Sequence, residues 1–345
     1  MKLLKTEDAV GQVLCHDITQ IIPGVTKDAV FRKGHIIRPE DVPVLLSVGK
    51  DNIYVWEKNE DMLHENEGAE ILREICQGDN MHPTPVKEGK IELVADCDGL
   101  LKIDRKKLRA VNMLGEMMIA SRHGDFPVRK GAKLAGTRII PLVIEKEKME
   151  RAKEAAAGGP IFRLLPFRPK KAAVITTGNE VYYGRIKDAF TPVLEGKLAE
   201  YGSAMMYHEI CNDDHEKITA RCLEAIEQGA ELVLCSGGMS VDPDDKTPLA
   251  IRNTGARVVS YGAPVLPGAM FLLAYYEKDG KNIPIVGLPG CVMYARRTIF
   301  DLVLPRLMAD DPVTAEELAM LGEGGLCLNC PECTFPNCGF GKGGC

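Results

Sequence analysis

Cys235-Ser236-Gly237-Gly238-Met239-Ser240-Val241-Asp242-Pro243-Asp244-Asp245 joins two readable elements. The apolar residues 230–234 lead in and read as a buried strand. Residues 247–252 lead out and read as a helix. Two adjacent glycines let the backbone approach a ligand where a β-carbon would collide. The following helix points free N–H groups back at the loop, which suits an anion such as a phosphate. Pro248 fits a first helical turn, and Asp244 or Asp245 fits its cap. Three carboxylates beside such a loop would repel an anion unless a cation or proton offsets them. The stretch therefore points to metal-assisted chemistry on a phosphorylated ligand. The plainer reading is a strand-to-helix turn whose aspartates only cap.

Around this stretch, from Lys171 onward, strands and helices alternate. Strands are expected at 172–176, 204–207, 257–260, 270–275 and 283–286. Thr191-Pro192 opens a helix to Gly202, Asp213-Asp214 caps an amphipathic helix ended by Gly229, and a last helix is expected over 291–308. That alternation implies an α/β fold with a parallel or mixed sheet covered on both faces. In such sheets ligands bind beyond the carboxyl ends of the strands, near the switch point of strand order. Three glycine turns fall at expected strand ends: Thr177-Gly178, Ser236-Gly237-Gly238 and Leu288-Pro289-Gly290. The second and third are expected to run almost directly into helices. None matches GxGxxG or a P-loop, which disfavours an ordinary NAD or ATP site.

The first half of the chain is less regular. Residues 1–57 read as a small α+β unit, with strand-like pieces at 10–14, 18–22 and 52–56 and a helix over 42–47. His16-Asp17 between strands could be a ligand pair, and a turn cap explains it better. Residues 58–80 are charged and helix-forming. Residues 92–95 read as a strand, 99–101 begin a second unit, 106–120 read as a helix, 131–144 as strands of a small barrel or sheet, and 145–157 as a charged helix. Arg129, Lys130, Lys133 and Arg138 read as a solvated basic face. The expected division is 1–84, 85–166, 167–312 and a tail, 313–345.

A net charge of −6 argues against a general nucleic-acid binder. No apolar run is long enough to span a bilayer. The N-terminus turns acidic at Glu7-Asp8 before a signal-peptide core can form, so a cytoplasmic protein is expected. Twelve cysteines in that compartment are not a disulfide framework.

Residues 171–308 resemble the molybdopterin-binding domain shared by molybdopterin adenylyltransferases and molybdenum insertases. The matching pieces are Thr177-Gly178-Asn179-Glu180, Gly184-Arg185-Ile186-Lys187-Asp188, Asn212-Asp213-Asp214, Ser236-Gly237-Gly238-Met239-Ser240 with Asp245, Leu266-Pro267-Gly268 and Gly287-Leu288-Pro289-Gly290. The resemblance implies a three-layer sandwich with a parallel or mixed sheet, beside a smaller N-terminal α+β/β region. It implies molybdopterin held by Thr177, Gly178, Ser236, Gly237, Gly238, Ser240, Pro289 and Gly290. Asp245, Glu180 and Asp188 would be the catalytic carboxylates. Magnesium and molybdate or tungstate would take part, since insertase members transfer molybdenum to the pterin dithiolene. Asn179, Asp242, Phe190, Ala269 and Cys291-Val292 depart from the family pattern. Asn179 removes a carboxylate, Ala269 removes a cation, and Cys291 adds a soft side chain that reads first as an apolar helix residue.

Five of the cysteines crowd into the last nineteen residues. Cys327, Cys330, Cys333 and Cys338 follow the pattern C-x₂-C-x₂-C-x₄-C, which suits a structural zinc knuckle and is close to an iron–sulfur spacing. Cys345 would be a spare thiol. Two readings of the whole follow. One is an insertase-like enzyme of molybdenum cofactor biosynthesis. The other is a non-catalytic protein that holds or delivers a molybdenum or tungsten cofactor to a molybdoenzyme. Members of the resembled family are oligomers, so a homo-oligomer is expected.

Overall fold

Residues 171–177 read Lys-Ala-Ala-Val-Ile-Thr-Thr, and all but the first are buried. Small and β-branched side chains on both faces suit a central strand packed between two helical layers. This computed structural model describes residues 2–22, 26–55, 61–240, 242 and 245–343. Contacts divide the chain into two compact units. One is Met1–Val94, Ile103–Arg122 and Lys133–Arg163. The other is Ala95–Lys102, His123–Ala132 and Leu164–Cys345.

The second unit is built on a six-stranded sheet. Its strands in chain order are β1 (Lys171–Thr177), β2 (Ala204–Cys211), β3 (Leu232–Ser236), β4 (Arg257–Tyr261), β5 (Leu272–Lys278) and β6 (Lys281–Leu288). The spatial order is β2-β1-β3-β6-β5-β4. The first four in that order are parallel, and β5 runs antiparallel to both its neighbours, β6 and β4. The chain leaves β1 towards β2 on one side and leaves β3 towards the other. The switch point therefore lies between β1 and β3, where Thr176 pairs with Ser236.

Among the described residues six α-helices accompany the sheet: α1 (Asn179–Tyr182), α2 (Phe190–Ala199), α3 (His215–Glu227), α4 (Thr247–Asn253), α5 (Ile299–Met308) and α6 (Ala315–Met320). Strand alternation decides which side each residue serves. Val174, Leu234 and Leu288 share one core with Leu194 and Leu198 of α2 and Phe300 and Val303 of α5. Ala173, Ile175, Val233 and Cys235 share another with Ile218 and Cys222 of α3 and Ile251 of α4. The sandwich has three layers, as the sequence implied.

Several elements correct the sequence reading. The expected helix over 291–308 is a 3₁₀ turn, Gly290–Met293, a break, and then α5. Thr298 starts α5 with a capping box to Asp301, which fixes the helix start at Ile299. Gly178 is itself the N-cap of α1, so the first and third glycine turns lead straight into helical turns and the second does so only after residue 246. Lys246 precedes α4 as its N-cap and no side chain caps it; Asp245 does not, and Asp244 lies outside the described residues.

The C-terminal residues join the second unit's core. Phe340 is buried there, with Phe335, Cys327 and Cys338 packed against it. Leu266 donates its N–H to the Gly325 carbonyl and accepts from the Cys327 N–H, both at 2.8 Å.

The first unit holds a four-stranded sheet, Met81–Pro83, Lys90–Ala95, Lys133–Ile139 and Met117–Ser121, ordered with Met81–Pro83 and Met117–Ser121 at its edges. A small separate core gathers Leu14, Ile18, Ile37, Leu45, Ile53 and Val55. The helix expected over 106–120 ends at Asn112, and Met117–Ser121 is a strand. Gly115 and Glu116 have positive φ, which breaks the helical run there. The expected helix in 58–80 is Glu65–Cys76, preceded by the strand Met62–His64. Residues 10–14 turn at Gly11 and make only isolated bridges at Val13 and Leu14. Asp17 accepts the Lys33 N–H at 2.7 Å, a bond to a residue sixteen positions on and not a local turn cap. Trp56, at the end of the piece expected over 52–56, lies outside the described residues.

Candidate functional site

The rim of the switch point is assembled from hydroxyls and glycines. Thr177 ends β1 and Ser236 ends β3, both buried. Thr177 Oγ1 lies 2.9 Å from Thr247 Oγ1 at the start of α4 and donates towards the Ser236 carbonyl at 3.3 Å. Gly237 and Gly238 have φ of +92° and +57°. A β-carbon on Gly237 would sit 2.2 Å from the Thr177 carbonyl oxygen, and one on Gly238 would sit 2.7 Å from Thr247 Oγ1. Only glycine fits both the backbone conformation and the space. The Ser236 hydroxyl is buried with no hydrogen-bond partner among the described residues. Alternation puts it on the same sheet face as Thr176.

On that face Asp188 organises the wall. Its Oδ1 accepts the N–H groups of Phe190 (2.8 Å) and Thr191 (3.1 Å), and its Oδ2 accepts the hydroxyls of Thr176 (3.0 Å) and Thr191 (2.5 Å). His208 Nε2 is 3.5 Å from the same Oδ2 and 3.0 Å from Thr191 Oγ1. Burial alone would push this carboxyl up, but the hydrogen bonds outweigh it and hold its pKa below the usual value. A carboxylate has about four acceptor positions, and protein donors fill them here. Asp188 thus ties α2 to β1.

The other two carboxylates are open. Glu180 on α1 is exposed and curls over Gly178, whose β-carbon, if present, would meet both its carboxylate oxygens at 3.1 Å. Asp245 is half-buried and closes a turn by donating its N–H to the Asp242 carbonyl at 2.9 Å. Burial first and the Asp245 charge second raise the pKa of Tyr261, whose hydroxyl donates to the Met239 carbonyl at 3.0 Å. Ser240 is exposed. Asn179 donates its N–H to Asp213 at 2.9 Å, so a carboxylate stands beside α1 despite the asparagine. Pro289 is buried and Gly290 exposed at the end of β6. Cys291 is half-buried, and burial pushes its thiol above the ordinary pKa. Met239 is buried against Gly287, where a β-carbon would meet its Cε at 2.6 Å.

Sequence reasoning missed Thr247, Thr176, Thr191 and His208, because only the fold brings them to the rim. It also passed over Lys246, a cation directly before Thr247, whose N–H donates to the Gly238 carbonyl at 3.2 Å. The four tail thiols are not gathered. Cys327 and Cys338 are half-buried, and Cys330 and Cys333 are exposed. Among the described residues no three His, Cys, Asp or Glu side chains are grouped as a metal site. The tail as folded therefore does not fit a zinc or iron–sulfur centre, and Cys345 lies outside the described residues.

An open mixed sheet with a glycine-lined, hydroxyl-rich rim at its switch point defines an α/β domain of the kind whose small ligands bind at that rim. Residues 173–309 match the family model described as a probable molybdopterin binding domain. Residues 3–57 match a domain of unknown function (DUF8806). The CinA-like protein of Mycobacterium avium (strain 104) is 35% identical over 77 residues, 22% of this chain and 18% of that protein. A putative competence-damage inducible protein of Bacillus subtilis (strain 168) is 32% identical over 89 residues, 26% of this chain and 21% of that protein. The chain thus spans about a fifth of the length of these curated relatives. Among solved structures, the tungsten cofactor synthesizing protein MoaB from Pyrococcus furiosus is similar at 20% identity and a TM-score of 0.33, covering 41% of this chain and 89% of that one. Among the described residues, no helix is long and apolar enough to cross a membrane.

Proposed function

We propose that this chain binds molybdopterin at the rim between β1 and β3 and supports insertase-like transfer of molybdenum to the pterin dithiolene. The observation that carries the reading is the Gly237-Gly238 cradle, closed to any side chain and next to a buried Ser236 hydroxyl that has no partner among the described residues. These residues fit a ligand that ends in a phosphate: backbone N–H groups and a hydroxyl are its natural donors. Molybdopterin, when bound, supplies the dithiolene that takes the metal. Thr177, Ser236, Gly237, Gly238 and Ser240 hold the phosphate end, and Gly178, Pro289 and Gly290 shape the mouth. Lys246 offsets the ligand's charge in place of the cation missing at Ala269. Asp245 and Glu180 are the carboxylates free to position molybdate and magnesium, while Asp188 acts as a positioning residue for the wall.

A second reading is favoured by the occupied state of Asp188: the domain holds or delivers the cofactor to a molybdoenzyme without catalysing insertion. One experiment separates the two. Protein loaded anaerobically with adenylylated molybdopterin is given molybdate and magnesium, and active cofactor is assayed by reconstitution of an apo-molybdoenzyme. Conversion that Asp245→Ala abolishes, with pterin binding intact, supports transfer. Binding without conversion in the unsubstituted protein supports delivery. No binding of pterin overturns both.

A further inference from the structure

The tail's four thiols fall into two kinds, two half-buried and two exposed. Cys327 and Cys338 pack against the second unit's core, whereas Cys330 and Cys333 are exposed at either end of Cys330-Pro331-Glu332-Cys333. Two arginines hold this segment. Arg296 Nη1 donates to the Pro331 carbonyl at 2.7 Å, and the Arg297 guanidinium lies 5.0 Å from the centre of the Phe335 ring. Both thiols of this C-x-x-C pattern are exposed, so a small disulfide can reach either of them. Phe335 and Phe340 pack against the core on the far side of the segment, so it is presented on a fixed base.

We propose that Cys330 and Cys333 form a reversible dithiol–disulfide couple, which exchanges with low-molecular-weight disulfides such as oxidised glutathione. The Cys333 thiolate attacks one sulfur of the glutathione disulfide. A protein–glutathione mixed disulfide forms, and one glutathione leaves as thiolate and takes up a proton. The Cys330 thiolate then attacks the Cys333 sulfur of that mixed disulfide and expels the second glutathione. The two cysteines lose two electrons and two protons, and the glutathione disulfide is reduced to two thiols. This couple is independent of the pterin reading.

The test uses the full chain, reduced and then equilibrated with glutathione at stepped ratios of oxidised to reduced form. Acid quenching, alkylation and peptide mass spectrometry assign each thiol. The Cys330–Cys333 disulfide should rise and fall reversibly with the ratio, while Cys327 and Cys338 stay alkylatable after denaturation. Cys330→Ser should stop at one glutathione on Cys333. The proposal is overturned if both thiols stay reduced throughout, or if they pair with other cysteines. It is equally overturned if stoichiometric zinc protects all four tail thiols together, which would make the tail a four-thiolate metal centre.

Discussion

Gly237 and Thr177 lie so close across the switch point that a β-carbon at 237 would be 2.2 Å from the Thr177 carbonyl oxygen. No side-chain rotation relieves a clash with backbone, and the positive φ adds strain. Gly237→Ala should therefore cost about 2 kcal/mol or more in urea unfolding. It should also abolish pterin binding. A variant of unchanged stability would mean that the loop is not packed against β1 as described.

Ser236 allows a cleaner separation of binding from folding. Its hydroxyl is buried without a partner among the described residues, and an unsatisfied buried hydroxyl costs about 1–3 kcal/mol. Ser236→Ala should leave the ligand-free protein as stable as before, or more stable, and should weaken molybdopterin binding. Equal binding by both proteins would remove Ser236 from the site.

Lys246 should matter for the ligand and little for the fold. Lys246→Met should weaken pterin binding roughly tenfold, the loss of one charge-assisted contact to a phosphate. The weakening should shrink in high salt. Titration calorimetry at two salt concentrations reads both effects.

Asp188 makes a pH prediction. Its pKa is lowered in the folded protein from the ordinary 3.8, so it stabilises the fold above that value. That contribution is lost as pH falls through the lower folded pKa. Asp188→Ala should cost about 1–2 kcal/mol at pH 7 through the lost cap of α2. The gap between the two proteins should close under acid, below pH 3.8. A gap that is the same at pH 7 and at low pH would contradict an ionised capping role.

The tail is held by the core, which can be measured. Phe340 is 5% exposed among the residues packed on α5. Phe340→Ala should cost about 3 kcal/mol. A near-zero cost would make the tail an appendage.

The α/β half was legible because its central strands carry buried apolar runs and its turns carry glycine. Thr177-Gly178, Ser236-Gly237 and Leu288-Pro289 fall at the ends of β1, β3 and β6, where periodicity placed them. The roles of individual residues were less legible. Asp188 looks like any other carboxylate in sequence, and only the fold shows Phe190, Thr191 and Thr176 occupying it. Thr247 is an ordinary first-turn residue until β1 is brought beside it. The misread helix over 106–120 shows a further limit. Its apolar spacing continues past Asn112, while Gly115 and Glu116 turn the chain into a strand. The tail's cysteine spacing invited a metal cage, yet its aromatic residues bind it to the core.

The central claim is that the Gly237-Gly238 rim holds molybdopterin. The most direct test loads anaerobically purified protein with molybdopterin, removes free ligand and measures bound pterin by the fluorescence of its oxidised form, beside Ser236→Ala. The account predicts near-stoichiometric pterin on the unsubstituted chain, displaced by excess inorganic phosphate, and clearly less on the variant. A protein that retains no pterin, or retains it equally in both forms and indifferently to phosphate, would contradict it.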